Sequence, residues 1–562
     1  MKFSEIKYVR PDIDVIRAEI EAITAKFAAA SSAEEQIKAV FEHEALSKKY
    51  STMATVASIR NSIDTRDEFY EKEIEYIDEN SPLIEEKEQE FLSEILKSKF
   101  RPALEERFGK LYFKNIEIAK RCFDPKIIPL MQEENKLTSA YQKLYGSAMV
   151  DFDGKKLPLP MLAPYGESPD RDVRRAACEA TGKFFDEHQA ELDEIYDKLV
   201  KNRDAQAKAL GYKNYVYLGY DKLGRNCYGP EKVEKFREQI ARDAVPVVCE
   251  VKEMQRKRIG VDKLKLYDNG FVFPDGNAKP EGTAEEILAA GKEMYHALSP
   301  ETKEFIDLMY DNELLDVLSK EGKAPGGYCT YIAEYKYPFI FSNFNGTAGD
   351  VDVLTHEAGH AFAAYRASKN IELSALADPT MESCECHSMS MEFLTSDYHH
   401  LFFGKSTKKY ELYHAEDSFC FIPYGCMVDE FQTRMYENPE YTPAQRNEVW
   451  AQLEKKYRPF LDMEGLPFYG RGAGWQRQLH IYMYPLYYID YCMAQTIAFQ
   501  FWLASLENKE AAWKNYLAFV DLGGTKDFEG LVESAGLDLP YNDGAIKRIC
   551  EKVGEWIKTH QL

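Results

Sequence analysis

The run Val351-Asp352-Val353-Leu354-Thr355-His356-Glu357-Ala358-Gly359-His360 decides how the chain is read. Its last five residues spell H-E-x-x-H. On a helix, positions i and i+4 share a face one turn apart. His356 and His360 therefore present two imidazoles as nitrogen donors to one metal ion, and Glu357, next to the first donor, reaches a water on that ion. A catalytic zinc takes three protein ligands and keeps one position for water, so the two histidines demand a third ligand. The apolar neighbours Val351, Val353, Leu354, Ala358, Ala361 and Phe362 predict a mostly buried helix. A His-Glu-His set buried without a partner is costly.

The candidates for the third ligand lie downstream. A metzincin would continue with x-x-G-x-x-H, but those positions hold Ala363 and Arg366, which excludes that class. Other helical zinc sites draw a glutamate from a second helix. The acid-rich stretch from Met381 to Glu392 offers Glu382, Glu385 and Glu392. Glu385 and Glu392 are two turns apart on one face, a spacing that allows Glu385 on the metal with Glu392 orienting a histidine ligand. Ligation by Cys384 or Cys386 is the alternative. His387, two residues from Glu385, points elsewhere.

Composition sets outer bounds. With 562 residues, 45% of them hydrophobic, the chain is long enough for two to four domains. Lys and Arg total 71 against 94 Asp and Glu, a net charge of −23. Nucleic acid and anionic membrane are poor partners for such a surface. Met1 to Arg10 has no long apolar run, no stretch is apolar enough to span a membrane, and the eleven cysteines form no C-x-x-C pair. Reduced thiols and a cytoplasmic location are expected. No G-x-S-x-G elbow or phosphate loop is present, which weighs against a serine hydrolase and a nucleotide-binding enzyme.

Helical periodicity dominates residues 13 to 145, with breaks expected at Ser81-Pro82 and Asp124-Pro125. Met149 to Leu159 reads as a hairpin turning at Asp153-Gly154. It suggests a division into an N-terminal helical lobe, 1–165, and a catalytic domain, 166–562. Helices are expected again over 170–210, 230–259, 283–321, 443–459 and 494–559. Two further stretches carry information. Gly326 to Thr330 and Pro338 to Phe344 read as strands just before the metal helix. An exposed strand edge there would hold a peptide by its main chain, which makes Gly327, Tyr328, Asn343, Asn345 and Gly346 candidate substrate contacts. Tyr469 to Tyr491 combines a glycine-rich opening with His480 and a run of tyrosines. Aromatic core packing is the simpler account of any one of these rings, yet an acyl-transfer site needs donors aimed at a developing oxyanion.

These features resemble the oligoendopeptidase F family, relatives of thimet oligopeptidase. The resemblance rests on Phe344-Asn345-Gly346-Thr347, on the pentad His356 to His360, and on the E-x-x-S-x-x-x-E spacing from Glu385 to Glu392. It rests also on His480 with Pro485, Tyr487, Tyr488 and Tyr491. All of these lie within residues 326 to 491. The resemblance implies a mainly α, two-lobed enzyme with one zinc ion per chain, deep in a channel, and a small sheet beside the metal helix. It implies short peptides as substrates, with Glu357 as general base. It further implies that His480, Tyr488 and Tyr491 contact the substrate carbonyl and that Tyr484 and Tyr487 lie nearby. Two rival readings are a helical zinc carboxypeptidase and a zinc-stabilised peptide-binding scaffold without turnover. The intact Glu357 argues against the scaffold, since a structural site needs no base.

Overall fold

The computed structural model describes residues 1–320, 322–324 and 326–562. The chain is mainly helical, with one two-stranded and one three-stranded sheet among the described residues. It divides into two compact units, each assembled from three separated stretches. The first comprises Met1–Arg121, Pro280–Phe402 and Ala504–Gly536; the second comprises Cys122–Lys279, Phe403–Leu503 and Leu537–Leu562.

The second unit contains the hairpin expected from its turn residues. Strands β1 (Met149–Phe152) and β2 (Lys155–Pro158) pair antiparallel, with Val150 opposite Leu157. Asp153 and Gly154 take φ values of 51° and 69°, the left-handed pair that a tight two-residue turn requires. Aromatic packing builds the core. Tyr482 stacks on Tyr141 at 3.9 Å between ring centroids, with Tyr196 and Trp475 around the same ring. The guanidinium of Arg203 is buried in this core. It donates to Glu134 at 2.6 Å, to the Tyr436 hydroxyl at 2.9 Å and to the Tyr482 carbonyl at 2.6 Å. A buried cation is tolerable only when paired and bonded in this way.

In the first unit, helices Ile13–Ala29, Ala33–Ile63 and Glu68–Leu96 bury one apolar stripe each, bringing Ile20, Phe27, Val40, Ile84, Phe91 and Ile95 into one cluster. Asp12, Ser32 and Asp67 cap their starts by accepting from backbone N–H groups. One expected break is absent. Pro82 lies inside helix Glu68–Leu96, although an interior proline costs about 3 kcal/mol. Ile84, Phe91 and Ile95 follow it on one buried face, and their packing offsets that cost. At Asp124-Pro125 the break is present: Asp124 caps a new turn with the proline at its first position.

The three-stranded sheet also belongs to the first unit. Strand β3 (Leu315–Leu318) runs parallel to β5 (Tyr337–Phe344), and β4 (Tyr328–Ile332) pairs antiparallel on the other side of β5. Strands β4 and β5 match the sequence expectation; β3 falls where the sequence predicts the end of a helix. A four-residue apolar run carries no periodicity that separates the two. The central strand β5 is buried continuously from Pro338 to Ser342, as a strand covered on both faces must be. It delivers the chain into the metal helix. No helix among the described residues is long and apolar enough to cross a membrane, and the eleven cysteines are free thiols.

Candidate active site

The turn after β5 is built by side chains reading backbone. Gly346 takes φ 82°. The buried Asp350 carboxylate accepts from the N–H of Asn345 at 2.8 Å and of Gly346 at 2.7 Å. Asn345 Oδ1 accepts in turn from Thr347 N–H and Oγ1. These bonds fix the entry of helix Gly349–Asn370, whose buried face includes Val351, Leu354, Ala358, Ala361 and Phe362, as the apolar pattern predicts. A second helix, Met381–Leu394, crosses it closely. A Cβ at Gly359 would lie 2.6 Å from Ser388 Cα and 2.9 Å from the His387 carbonyl oxygen. Backbone touches backbone there, so only glycine fits between the two histidines of the pentad. Gly359→Val is expected to destabilise the protein by about 3 kcal/mol, the upper end of the usual overpacking range, and to lower metal retention by parting the helices. Thermal unfolding with metal analysis checks this; an unchanged Tm and metal content would contradict it.

The crossing brings three donor atoms together. His356 Nε2 stands 3.3 Å and His360 Nε2 3.4 Å from the same oxygen, Oε2 of Glu385. All three ligand atoms lie within 4.8 Å of one another. Behind them His356 Nδ1 meets Glu392 Oε1 at 2.7 Å. Against burial, which lowers it, the Glu385 and Glu392 carboxylates raise the His356 pKa well above its usual value; with Nε2 given to a metal, Glu392 would keep the Nδ1 proton. Against burial, which pushes it up, the His360 and His356 imidazoles hold the Glu385 carboxyl well below the usual carboxylate range. Glu357 is buried and lies outside this donor set; burial raises its pKa, opposed by the two imidazoles. Two imidazole nitrogens and one carboxylate oxygen facing a common point fit a divalent metal with a position left open.

The remaining candidates on the second helix have other employment. Glu382 accepts from Thr380 Oγ1 at 2.6 Å. Cys384 Sγ points to the Pro379 carbonyl at 3.6 Å. His387 is fully buried, packs edge-on against Phe519, and is pushed by burial down to about 3, so its imidazole is neutral. On the sheet, Asn343 donates to the carbonyls of Ala324 and Gly326 at 2.8 and 3.0 Å. It holds the segment that leads to Gly327 and Tyr328. Tyr328 stacks on Phe341 at 4.9 Å. Among the described residues strand β4 is bonded on one side only, to β5, and forms the sheet margin.

The tyrosine tract lies in the second unit. Its members divide by environment. Tyr482 is core, and Tyr484 is half exposed, at 50%. Tyr487, Tyr488 and Tyr491 group around His480, with ring centroids 6.2, 4.8 and 5.9 Å from the imidazole. Sequence reasoning missed the residues that hold this group. The Tyr424 hydroxyl donates to Gln478 Oε1 at 2.6 Å, which turns the Gln478 amide nitrogen toward His480 Nδ1 at 2.9 Å. An N–H donated to Nδ1 leaves the imidazole proton on Nε2, so His480 acts as a donor. Leu486 is held at φ 65°, a conformation a leucine adopts only under constraint. Its carbonyl accepts from Arg225 at 2.6 Å and its N–H donates to Gln432 at 3.0 Å. Arg225 also pairs at 2.6 Å with Asp490, both fully buried. This clamp orders the tract ahead of any ligand.

Residues 165–550 match the model of peptidase family M3, and residues 3–123 match the peptidase M3 N-terminal domain. The chain belongs to peptidase family M3. This M3 peptidase is 23% identical over 545 residues to an oligoendopeptidase F homolog of Lactococcus lactis subsp. lactis (strain IL1403), covering 89% of this chain and 85% of that one. Among solved structures, PZ peptidase A with inhibitor 2 is 48% identical, with a TM-score of 0.96 over 99% of each chain. An oligoendopeptidase-F from Enterococcus faecium shares the fold at 16% identity, with a TM-score of 0.64 over 97% of this chain and 98% of that one. The M3 chain is thus a mainly α member of the oligoendopeptidase F family and a peptide-bond hydrolase, as its motifs suggest. Membership in M3 implies a metal cofactor.

Proposed function

We propose that this M3 peptidase is a zinc-dependent endopeptidase that cleaves internal bonds of short oligopeptides. The observation that carries the reading is the convergence of His356, His360 and Glu385 on one point, within 4.8 Å, beside the buried carboxyl of Glu357. Two nitrogen donors with one carboxylate suit zinc. Bound there, one zinc ion per chain would supply a nucleophile at neutral pH by lowering the pKa of water from ~16 toward ~7. Glu357 would accept the proton of the attacking water and pass it to the leaving amine. Glu392 keeps His356 in the tautomer that presents Nε2. His480, donating from Nε2, and the phenols of Tyr488 and Tyr491 hold the substrate carbonyl oxygen as it gains charge. Tyr484 and Tyr487 line the same tract.

The main chain of Gly327 and Tyr328 at the β4 margin holds the peptide as an added strand. Asn343, Asn345 and Gly346 shape that segment through the bonds described above. The division into an N-terminal helical lobe, 1–165, and a catalytic domain, 166–562, follows the separate family matches over 3–123 and 165–550, whereas the two compact units each draw on both sides of residue 165. Short peptides are the partners; the net charge of −23 disfavours nucleic acid and anionic membrane. Eleven free thiols favour the reducing cytoplasm.

The test is product mapping on a peptide blocked at both ends. Cleavage at internal bonds, abolished by a chelator and restored by zinc, is expected. Release of single residues from free C-termini alone would make the protein a carboxypeptidase. Metal-dependent binding without turnover would make it a scaffold.

A further inference from the structure

Helix Met381–Leu394 sets Glu385, Ser388 and Glu392 on one face, three and then four residues apart. Glu385 belongs to the donor set and Glu392 meets His356. Ser388, between them, reaches the same site. It is fully buried, at 0% exposure, and stands where the two helices cross, since its Cα is the atom that a Cβ on Gly359 would strike. Its Oγ lies 3.0 Å from the Glu385 carbonyl oxygen and 3.1 Å from Glu385 Oε2. The first contact is ordinary: a helical serine donates back one turn. The second is not. Oε2 is the oxygen that stands 3.3 Å from His356 Nε2 and 3.4 Å from His360 Nε2. Neighbouring hydroxyls behave differently. Thr395 Oγ1 bonds the carbonyls of Met391 and Glu392. Ser390 Oγ, buried on the same helix, has no partner among the described residues.

A glutamate does not itself fix which oxygen it turns toward a partner, because rotation about its last carbon–carbon bond is soft and two-fold. A neighbour has to choose. Each carboxylate oxygen offers two lone-pair sites. A hydroxyl on one site of Oε2 leaves the other for an ion, and the carboxylate's charge strengthens that bond. Ser388 can hold the direction because its backbone is pinned against Gly359. The choice matters at a catalytic zinc, which takes three protein ligands and keeps one position open. A glutamate that gave both oxygens would fill the position meant for water.

We propose that Ser388 is a positioning residue that makes Glu385 a one-oxygen ligand and so keeps a place at the metal for water. The inference rests on the metal-dependent peptidase reading above and deepens it. Ser388 acts through Glu385 and not on the peptide.

The test strips the full-length wild type, Ser388→Ala, Ser388→Cys and Ser390→Ala with a chelator and loads each with cobalt(II). The visible spectrum is recorded at saturation, and zinc-loaded samples of the same proteins give kcat and KM on one short peptide. Four-coordinate cobalt absorbs more strongly than five-coordinate cobalt, so the spectrum reads how many atoms hold the ion. Wild type is expected to show the stronger, four-coordinate bands. In Ser388→Ala the bands should weaken and kcat should fall about 10- to 100-fold, the usual effect of losing a partner behind a metal ligand, with KM within about twofold. Ser388→Cys keeps a weak donor, so its bands and kcat should lie between the two. Ser390→Ala removes a buried hydroxyl from the same helix and should match wild type in both readings. Wild-type bands and kcat in Ser388→Ala would overturn the positioning role. So would a folded Ser388→Ala that takes up no cobalt, which would make Ser388 a support of the whole site. Where Ser388→Ala does not fold, wild-type bands and kcat in Ser388→Cys would overturn it instead. Wild type that takes up no cobalt would overturn the metal-dependent reading itself, and the positioning role with it.

Discussion

Glu357→Gln is expected to remain folded and to bind metal normally while its turnover on a short peptide falls about 10²- to 10⁴-fold, the range supplied by a positioned general base. The substitution keeps shape and volume in a site where volume is constrained, because Glu357 is a buried residue of helix Gly349–Asn370. Removing a buried carboxylate that makes no ligand bond should cost little stability. What disappears is the capacity to accept a proton. Burial raises the carboxyl's pKa, which makes it a stronger base than an exposed glutamate, and an amide is no base at all. Steady-state rates measured beside metal content decide the matter. A near-normal rate would remove Glu357 from the mechanism. A lost rate with lost metal would make it a structural support of the site.

Glu385→Gln is expected to act one step earlier, on the metal itself. Glu385 gives the donor set its only negative charge, with both imidazoles 3.3–3.4 Å from one oxygen. A neutral amide oxygen is a weaker ligand. The loss in metal affinity should exceed the roughly 10- to 100-fold typical when a supporting partner such as Glu392 is changed. Hydrolysis should follow metal occupancy and recover partly in excess zinc. Competitive titration with a metal indicator measures the affinity. Wild-type affinity in Glu385→Gln, together with weakened binding in Glu382→Gln, would show that the wrong glutamate was chosen.

Those two glutamates show where the sequence could be read and where it could not. H-E-x-x-H is legible because helical spacing alone sets His356 beside His360. The hairpin turn at Asp153-Gly154 is legible because both residues tolerate positive φ. The choice among Glu382, Glu385 and Glu392 is not local. It depends on how closely two helices cross, and that is set at Gly359, where a side chain would strike Ser388. Interactions between distant stretches of the chain decide the other surprises as well. Pro82 stays helical because a buried face outweighs a missing hydrogen bond. Leu486 takes a backbone conformation its residue type argues against, because Arg225 and Gln432 hold it there. The role of Gln478 depends on Tyr424, 54 residues earlier, and no spacing rule connects them. Strand β3 is too short for its periodicity to tell it from a helix end.

The account stands on a metal held by His356, His360 and Glu385 serving the hydrolysis of peptides. The direct measurement strips the purified protein with a chelator, returns zinc in steps, and follows bound metal and peptide cleavage in the same samples. Cleavage should rise in proportion to zinc, level off at one ion per chain, and fail to appear in His356→Ala at the same zinc concentrations. Full cleavage by the stripped protein, or by His356→Ala carrying no metal, would contradict it.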